Sequence, residues 1–224
     1  KHKALKNIKK SIYALPELTG DKIKKFQIIG CPGCYPTSLL LPLLPLIKKN
    51  LIKKDNIIID SKSGYSGAGR GVHKKYKNRN LYESLSAYGV SSHRHNSEIE
   101  QVIREYTKDN FRFTFTPHLS PMFRGILSTI YVDLKKGKNI SDLYNELVKF
   151  YKAKKFVKIA NMNSLLSTND VINTNNCKIS VCKSKYRNKV IILSSIDNLI
   201  KGGAGQAIQN MNILNNFSIS EGLI

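Results

Sequence analysis

Two cysteines stand three residues apart in the stretch GCPGCYPTSLL, residues 30–40. Cys34 directly precedes a leucine-rich segment typical of a helix, so it is expected in the first turn of that helix. Unpaired amide groups and the helix dipole stabilise an anion at such a place. The sequence therefore predicts a thiol with a lowered pKa, which would be a good nucleophile. Taken alone, Cys34 fits a buried structural cysteine equally well.

Two other kinds of site also use C-x-x-C pairs, zinc sites and redox dithiols. Zinc needs further ligands, and Cys177 and Cys182 do not form a second such pair. Their odd spacing in an alternating segment places them on opposite faces of a strand, as small buried hydrophobic side chains. We therefore predict no metal site. A redox dithiol stays open, because such pairs also lie at helix N-termini, but it leaves the remaining motifs unexplained.

A proton carrier for the thiol is offered by the stretch HRH, residues 93–95. Histidine titrates in the range that this task requires. Glu98 follows in the first turn of a predicted helix, near enough to orient an imidazole. Farther upstream, SGYSGAGRG (residues 63–71) supplies exposed amides and Arg70, which suit a phosphate or a flat cofactor ring. This stretch lacks the Lys-Ser/Thr ending of a P-loop.

The net charge of +22 invites a nucleic-acid interpretation. However, 30 lysines stand against 7 arginines, the lysines are scattered along the chain, and there is no Trp. Proteins that bind nucleic acids favour arginine and aromatic residues. We interpret the charge as compositional drift and expect no nucleic-acid partner. The longest apolar stretches are far too short to span a bilayer, so we expect a cytoplasmic protein without a membrane partner.

The elements that must position these residues predict an α+β fold, with a mostly antiparallel sheet and flanking helices. A helix is expected over residues 35–50, with a kink or an early end at Pro42 and Pro45. The next helix should begin at Asn96 or Ser97.

Later segments predict a helix capped by Ser141 and two antiparallel strand pairs. One pair joins residues 111–119 to residues 124–134. The other is a hairpin, in which residues 178–184 pair with residues 189–197 across KYRN.

Five motifs occur in the order seen in the N-acetyl-gamma-glutamyl-phosphate reductase family, which is related to aspartate-semialdehyde dehydrogenase: GCPGCYPT, SGYSGAGR, HRHNSEIEQ, FTPHLSPMFRG and DNLIKGGAGQAIQNMN. The resemblance covers nearly the whole chain. It implies an NADP-dependent enzyme of arginine biosynthesis that reduces an acyl phosphate to a semialdehyde. It also implies the substrate and dimerisation domain of that family and a homo-oligomer, either a dimer or a tetramer.

The resemblance further implies roles for individual residues. Cys34 would attack the acyl phosphate and form a thioester, and His93 or His95 would handle protons, with Glu98 orienting. We favour His93, although the sequence does not choose between the two. The residues expected to bind the substrate are Arg70, Arg94, Arg124 and His118, the last of which fits a structural role equally well. The residues expected to bind the cofactor are Ser63, Gly64, Gly67, Asn198, Gly205 and Gln206.

The chain departs from the family pattern in two ways. No G-x-x-G-x-x-G fingerprint of a Rossmann domain follows any predicted strand. We therefore expect residues 1–34 to be the end of an NADP-binding domain, residues 35–196 the catalytic and dimerisation domain, and residues 197–224 a segment that returns to the first domain. The ending resembles that of the family, so the missing part is expected upstream.

The second departure is Cys31, where the family commonly has Asn. A reversible disulfide between Cys31 and Cys34 is therefore a minor hypothesis. The chain alone could also be inactive, and the alternative function is a basic binding protein without reductase activity.

Overall fold

A computed structural model of the chain describes residues 3–69, 80–108 and 111–223. A seven-stranded sheet carries helices on one face. The strands are β1 (Ser11–Tyr13), β2 (Ile28–Gly30), β3 (Ile57–Gly64), β4 (Ser86–Ala87), β5 (Phe113–Ser120), β6 (Ile126–Asp133), β7 (Val157–Ile159), β8 (Cys177–Lys183) and β9 (Lys189–Ile196). The α-helices are α1 (Leu5–Ile8), α2 (Pro16–Thr19), α3 (Cys34–Lys48), α4 (His95–Thr107), α5 (Ile140–Tyr151) and α6 (Gly205–Leu214).

The large sheet has the strand order β4-β5-β3-β6-β9-β8-β7. Four of its six neighbouring pairs are antiparallel, and the pairs β3–β5 and β7–β8 are parallel. The α+β fold with a mostly antiparallel sheet is therefore confirmed. The β8–β9 hairpin is confirmed as well, with the two cysteines on opposite faces, but the predicted burial holds for Cys177 alone, because Cys182 is only half-buried.

The predicted pairing of β5 with β6 is wrong, because β3 lies between them, parallel to β5 and antiparallel to β6. The loop that joins β5 to β6 crosses the end of β3, where the Gly64 amide donates to the Gly125 carbonyl at 2.9 Å. A Cβ atom on Gly64 would lie 2.5 Å from the Phe123 carbonyl oxygen. The close approach of two backbones at a glycine thus allows a non-local strand to separate two strands that are neighbours in sequence.

The predicted early end of α3 is also wrong, because the helix continues through Pro42 and Pro45 to Lys48, whereas a kink at these prolines stays a prediction. Proline lacks the amide that would bond the carbonyl four residues earlier. For Pro45 that carbonyl belongs to Leu41, and the buried hydroxyl of Tyr151 in α5 donates to it at 2.6 Å. A tertiary hydrogen bond therefore replaces the helical one.

Two helices begin earlier than predicted. α4 begins at His95, whose amide donates to Nδ1 of His93 at 3.2 Å, so a free amide of the first turn is satisfied by the preceding loop. α5 is capped by Asn139 rather than Ser141. The Asn139 side chain accepts from the Asp142 amide at 3.1 Å, and the Asp142 carboxylate accepts from the Asn139 amide at 2.8 Å. This reciprocal pair fixes the start of the helix.

Helix α3 packs on the sheet, and α4 and α5 pack against α3. The core lies between these helices and one face of the sheet, and it includes Leu39, Ile59, Ile99, Ile130 and Leu147. In the described ranges, no helix is long and apolar enough to pass through a bilayer.

Segments from the two ends of the chain meet beside this core. β1 and β2 form a separate parallel pair. Nζ of Lys201, which is fully buried, lies 2.5 Å from Oε1 of Glu17 and 2.9 Å from Oε1 of Gln209. This ion pair lowers the pKa of Glu17 against the effect of burial, which by itself raises it. The contact fixes the segment before α6 against α2.

Candidate active site

Cys34 is the first residue of α3 and lines a cleft of about 620 Å³. The cleft is formed by the start of α3, the end of β3 with its glycine-rich turn, and the loop before α4. The residues that line it are Cys34, Tyr35, Ser63, Gly67, Ala68, Ala87, Tyr88, Gly89, Ser92, His93, Arg94 and His95. The structure therefore brings the predicted thiol and both histidines of the HRH stretch into one cleft.

Burial raises the pKa of the Cys34 thiol to about 11. The amides of Tyr35 and Cys34 and the positive charge of Arg94 act in the opposite direction, while Glu98 adds to the rise. The predicted lowering of this pKa is therefore wrong. The helix start does stabilise the thiolate, but the loss of water around the sulfur has the larger effect.

The loop that leads into Cys34 is fixed by Glu98. Oε1 of Glu98 accepts the Gly33 amide at 2.9 Å and the Tyr13 hydroxyl at 2.6 Å. Its other oxygen lies 3.9 Å from Nε2 of His95, too far for a good hydrogen bond. The short contacts of Glu98 are thus made to the backbone before the thiol and to β1.

His95 packs directly against Gly33, since a Cβ atom at position 33 would lie 2.5 Å from Nε2 of that ring. Burial, followed by the nearby charges of His93 and Arg94, lowers the pKa of His95 to about 4. The imidazole is therefore neutral at neutral pH and can accept a proton. Its Nδ1 is buried and has no hydrogen-bond partner among the described residues.

His93 lies farther along the same cleft, with its ring centre 4.7 Å from that of His95. Its Nδ1 accepts the His95 amide, so in the neutral ring the hydrogen is on Nε2. This tautomer, assigned from the hydrogen bond, has no second lone pair with which to accept a proton. Edge contacts with Tyr35, Tyr88 and Phe115 hold the ring in place.

Only one of the three arginines predicted to bind the substrate is found in the described lining of the cleft. Arg94 lines the cleft, whereas Arg70 lies outside the described residues. Arg124 is not among the described residues that line the cleft, and its guanidinium donates to Asn173 at 2.6 Å and to Asp197 at 3.4 Å.

His118 lies on β5 outside the lining of the cleft, with Nδ1 3.1 Å from Oδ1 of Asp60. The same carboxylate oxygen accepts Nζ of Lys62 at 2.7 Å. These three residues belong to the face of the sheet that is opposite to α3.

The predicted cofactor residues occupy two places. Ser63 and Gly67 line the cleft, and Asn198 lies behind them, where it accepts the Gly125 amide at 2.6 Å and donates to Ser66 at 3.0 Å. Gly64 does not line the cleft; it contacts the backbone of the loop that joins β5 to β6.

Gly205 and Gln206 stand at the start of α6 and are buried outside the lining of the cleft. A Cβ atom on Gly205 would lie 2.6 Å from Oδ1 of Asn175, and Gln206 donates to Thr37 at 3.1 Å. Both residues therefore pack α6 against the body of the chain.

Three residues around the thiol were not predicted. Tyr13 and Gly33 hold the Glu98 carboxylate, and Gly202 packs against the thiol residue itself, because its Cβ atom would lie 2.6 Å from Cβ of Cys34. The sequence did contain a signal for Gly202. Lys201 interrupts an apolar and glycine-rich stretch, and its buried ion pair holds the segment that carries Gly202.

Cys31 is exposed, and its Sγ accepts a hydrogen bond from Asn210 at 3.4 Å. Both Cys31 and Cys34 are free thiols. A disulfide between them stays a prediction.

Comparison with known families places this site in a known fold. A family described as "semialdehyde dehydrogenase, dimerisation domain" matches residues 34–198, which is most of the chain. The chain belongs to this semialdehyde dehydrogenase family. The match begins at Cys34 and ends at Asn198, so it contains the cleft and both histidines.

Two relatives extend the comparison. A protein of Arabidopsis thaliana described as probable chloroplastic N-acetyl-gamma-glutamyl-phosphate reductase is 44% identical over 100% of this chain and 56% of its own length. An N-acetyl-gamma-glutamyl-phosphate reductase of Clostridium beijerinckii is 47% identical over 95% of this chain and 62% of its own length. The chain therefore spans somewhat more than half the length of these relatives.

Among solved structures, aspartate semialdehyde dehydrogenase II of Vibrio cholerae matches with a TM-score of 0.74 at 14% identity, over 93% of this chain and 69% of that one. At this identity the match shows a shared fold only.

The raised pKa of Cys34 predicts how its alkylation depends on pH. Only the thiolate reacts, so below the pKa of about 11 the rate with iodoacetamide should rise about tenfold per pH unit between about pH 7 and about pH 10. The measurement uses a Cys31→Ser, Cys182→Ser variant, which retains only Cys34 and the fully buried Cys177, and locates the label by mass spectrometry. A rate that levels off between pH 7 and pH 8 would contradict the raised pKa.

Proposed function

We propose that this chain is the catalytic part of an N-acetyl-gamma-glutamyl-phosphate reductase, which converts an acyl phosphate to a semialdehyde through a thioester. The observation that carries the proposal is the presence of Cys34 and a neutral His95 in one cleft. The names of the Arabidopsis and Clostridium relatives support the choice of substrate. No observation on the described residues favours the alternative, a basic binding protein.

In the first step, Sγ of Cys34 attacks the acyl carbon of the substrate, and the thiol proton moves to His95. The neutral His95 ring has a lone pair on one nitrogen, and neither ring nitrogen makes a short hydrogen bond to a described residue, so the ring can accept this proton. The C–S bond forms, the C–O bond to phosphate breaks, and phosphate leaves with its electron pair. This assignment prefers His95 to His93, whose Nδ1 already accepts an amide.

The positive charge at the cleft fits the charge of the substrate. Arg94 lines the cleft beside the thiol and is the described cation that we assign to the phosphate or carboxylate. The amides of Cys34 and Tyr35, which face the sulfur, are suited to hold the oxyanion that forms during attack.

The cofactor that the family implies fits only in part. The turn after β3 presents Ser63 and Gly67 to the cleft, and a Cβ atom on Gly67 would lie 2.7 Å from the Ser63 hydroxyl oxygen. This narrow wall would suit the flat end of a nicotinamide cofactor, and behind it one amide hydrogen of Asn198 bonds to no described residue. When bound, such a cofactor supplies a hydride. The choice of NADP rests on the resemblance alone.

We also propose that the chain assembles as a homo-oligomer through the face of the sheet that is opposite to α3. Ile58 is 44% exposed there, beside the half-buried Leu127, Tyr131 and Ile191 on the neighbouring strands. A group of partly exposed apolar side chains such as this one, with Asp60, Lys62 and His118 as polar neighbours on the same face, is typical of an interface between subunits. A cytoplasmic location stays a prediction, since the Arabidopsis relative is described as chloroplastic.

The thioester step can be tested without a nicotinamide cofactor. On mixing with N-acetyl-glutamyl 5-phosphate, the chain should release about one phosphate per molecule and carry the acyl group on Cys34, as measured by phosphate assay and mass spectrometry. Cys34→Ala should abolish both signals, and His95→Gln should slow the burst about 100-fold, because the thiol loses its proton acceptor.

Cys31→Ser is the matched control and should keep the burst. Aspartyl phosphate should react more slowly if the substrate class is correct. A burst that persists in Cys34→Ala, or no burst in the unchanged chain, would contradict the proposal.

The proposed interface predicts that a charge on the face of the sheet opposite to α3 weakens the assembly. Leu127→Glu should convert the oligomer to a smaller species in sedimentation equilibrium, because a buried carboxylate would oppose association. Val148→Glu is the control, since this valine is 39% exposed on α5, away from that face. Equal behaviour of the two variants, or a chain that is monomeric at all concentrations, would rule out this interface.

A further inference from the structure

A second cavity, of about 590 Å³, lies far from the Cys34 cleft. It is formed by the start of β9, the turn between β8 and β9, the loop between β6 and α5, and Lys53. The residues that line it are Lys53, Leu134, Lys135, Lys136, Gly137, Lys138, Asn139, Ile140, Lys183, Ser184, Tyr186, Arg187, Asn188, Lys189 and Val190. Seven of these fifteen described residues are cations, and none is acidic.

A high lysine content alone does not account for this arrangement. The cations come from three separate parts of the chain, residues 53, 135–138 and 183–189, which the fold brings together. A useful contrast is the shallow depression along residues 151–159, where four lysines follow one another in a single segment. A lysine-rich composition alone can produce such a run within one segment. The cavity differs because the fold brings cations from three separate segments to one place.

The positive charge in the cavity is nearly uncompensated. Among the described cations that line it, only Lys189 forms an ion pair, with Asp133 at 2.9 Å. Burial by itself raises the pKa of Asp133, but the hydrogen bonds from Lys189 and Asn56 and the charges of Lys189 and Lys53 lower it. Like charges gathered in a concave surface repel one another and attract an anion.

The cavity also has an apolar part. Leu134 and Val190 are buried beneath it, Ile140 is half-buried, and the Tyr186 ring is 64% exposed at its edge. An exposed aromatic ring beside cations suits a ligand that carries both a flat ring and phosphates. The volume lies in the range of small-molecule sites.

We propose that this cavity binds a small ring-bearing polyphosphate of the nucleotide class. The site is distinct from the Cys34 cleft because β6 and β9 run from one to the other. Ile126 and Ile196 stand at the catalytic end of these strands, and Asp133 and Lys189 stand at the cavity end. Eight residues of strand separate the two ends by about 24 Å, so one ligand of this size does not fill both.

Isothermal titration calorimetry of the full chain near physiological salt tests the proposal with three probes: ATP, tripolyphosphate and adenosine. ATP should bind with a stoichiometry of one, more tightly than either tripolyphosphate or adenosine. The variant Lys53→Gln, Lys136→Gln, Arg187→Gln removes one cation from each of the three segments. It should weaken ATP about tenfold or more.

The matched control is Lys152→Gln, Lys154→Gln, Lys158→Gln, which removes the same charge from the contrasting depression and should change the ATP affinity less than about twofold. Tyr186→Ala should weaken ATP but not tripolyphosphate.

Equal weakening by the two triple variants would show that only net charge matters and would overturn the site. Binding of several ATP molecules per chain, no ATP binding, or an ATP affinity unchanged in Tyr186→Ala would overturn it as well. None of these measurements depends on the thioester chemistry, so the two proposals can fail separately.

Discussion

The carboxylate of Glu98 joins three parts of the chain that meet at the thiol. It belongs to α4, the helix that begins at His95, and it accepts hydrogen bonds from the Gly33 amide and the Tyr13 hydroxyl. Hydrogen bonds to a charged acceptor each contribute about 1.5–3 kcal/mol. The start of α3 and the start of α4 are therefore tied to one group, which holds together the two elements that bring the thiol and the imidazoles to one cleft.

The same close packing sets the protonation of the pair. Burial raises the pKa of Cys34 to about 11 and lowers that of His95 to about 4, so both groups are neutral at neutral pH. The resting site is then a thiol beside an imidazole rather than a thiolate beside an imidazolium. In the proposed mechanism the proton moves as the substrate is attacked, when the new charge falls on the oxyanion and on the leaving phosphate.

Local patterns predicted much of the fold, and non-local contacts explain what they missed. Alternation in β8 and β9 and a short turn were sufficient for the hairpin. The insertion of β3 between β5 and β6 was not predictable, because it depends on backbones that cross at Gly64. The continuity of α3 likewise depends on Tyr151, which is 106 positions from Pro45 and carries no local signal.

For the site, residue types and order were sufficient to group Cys34, His93, Arg94 and His95, which all line the cleft. The sign of the pKa shift at Cys34 was not available from sequence, since it depends on how much water the folded chain removes. The choice between the histidines also required geometry. It follows from the hydrogen bond that occupies Nδ1 of His93.

The tie made by Glu98 is tested most directly by amide hydrogen exchange at Gly33, compared between Glu98→Ala and Glu100→Ala. Glu100 is an exposed carboxylate on the same helix, so its loss changes the charge equally without touching Gly33. We predict that Gly33 exchanges about tenfold faster or more in Glu98→Ala, because its amide loses a charged acceptor, and at an unchanged rate in Glu100→Ala. Equal exchange rates at Gly33 in the two variants would contradict the account.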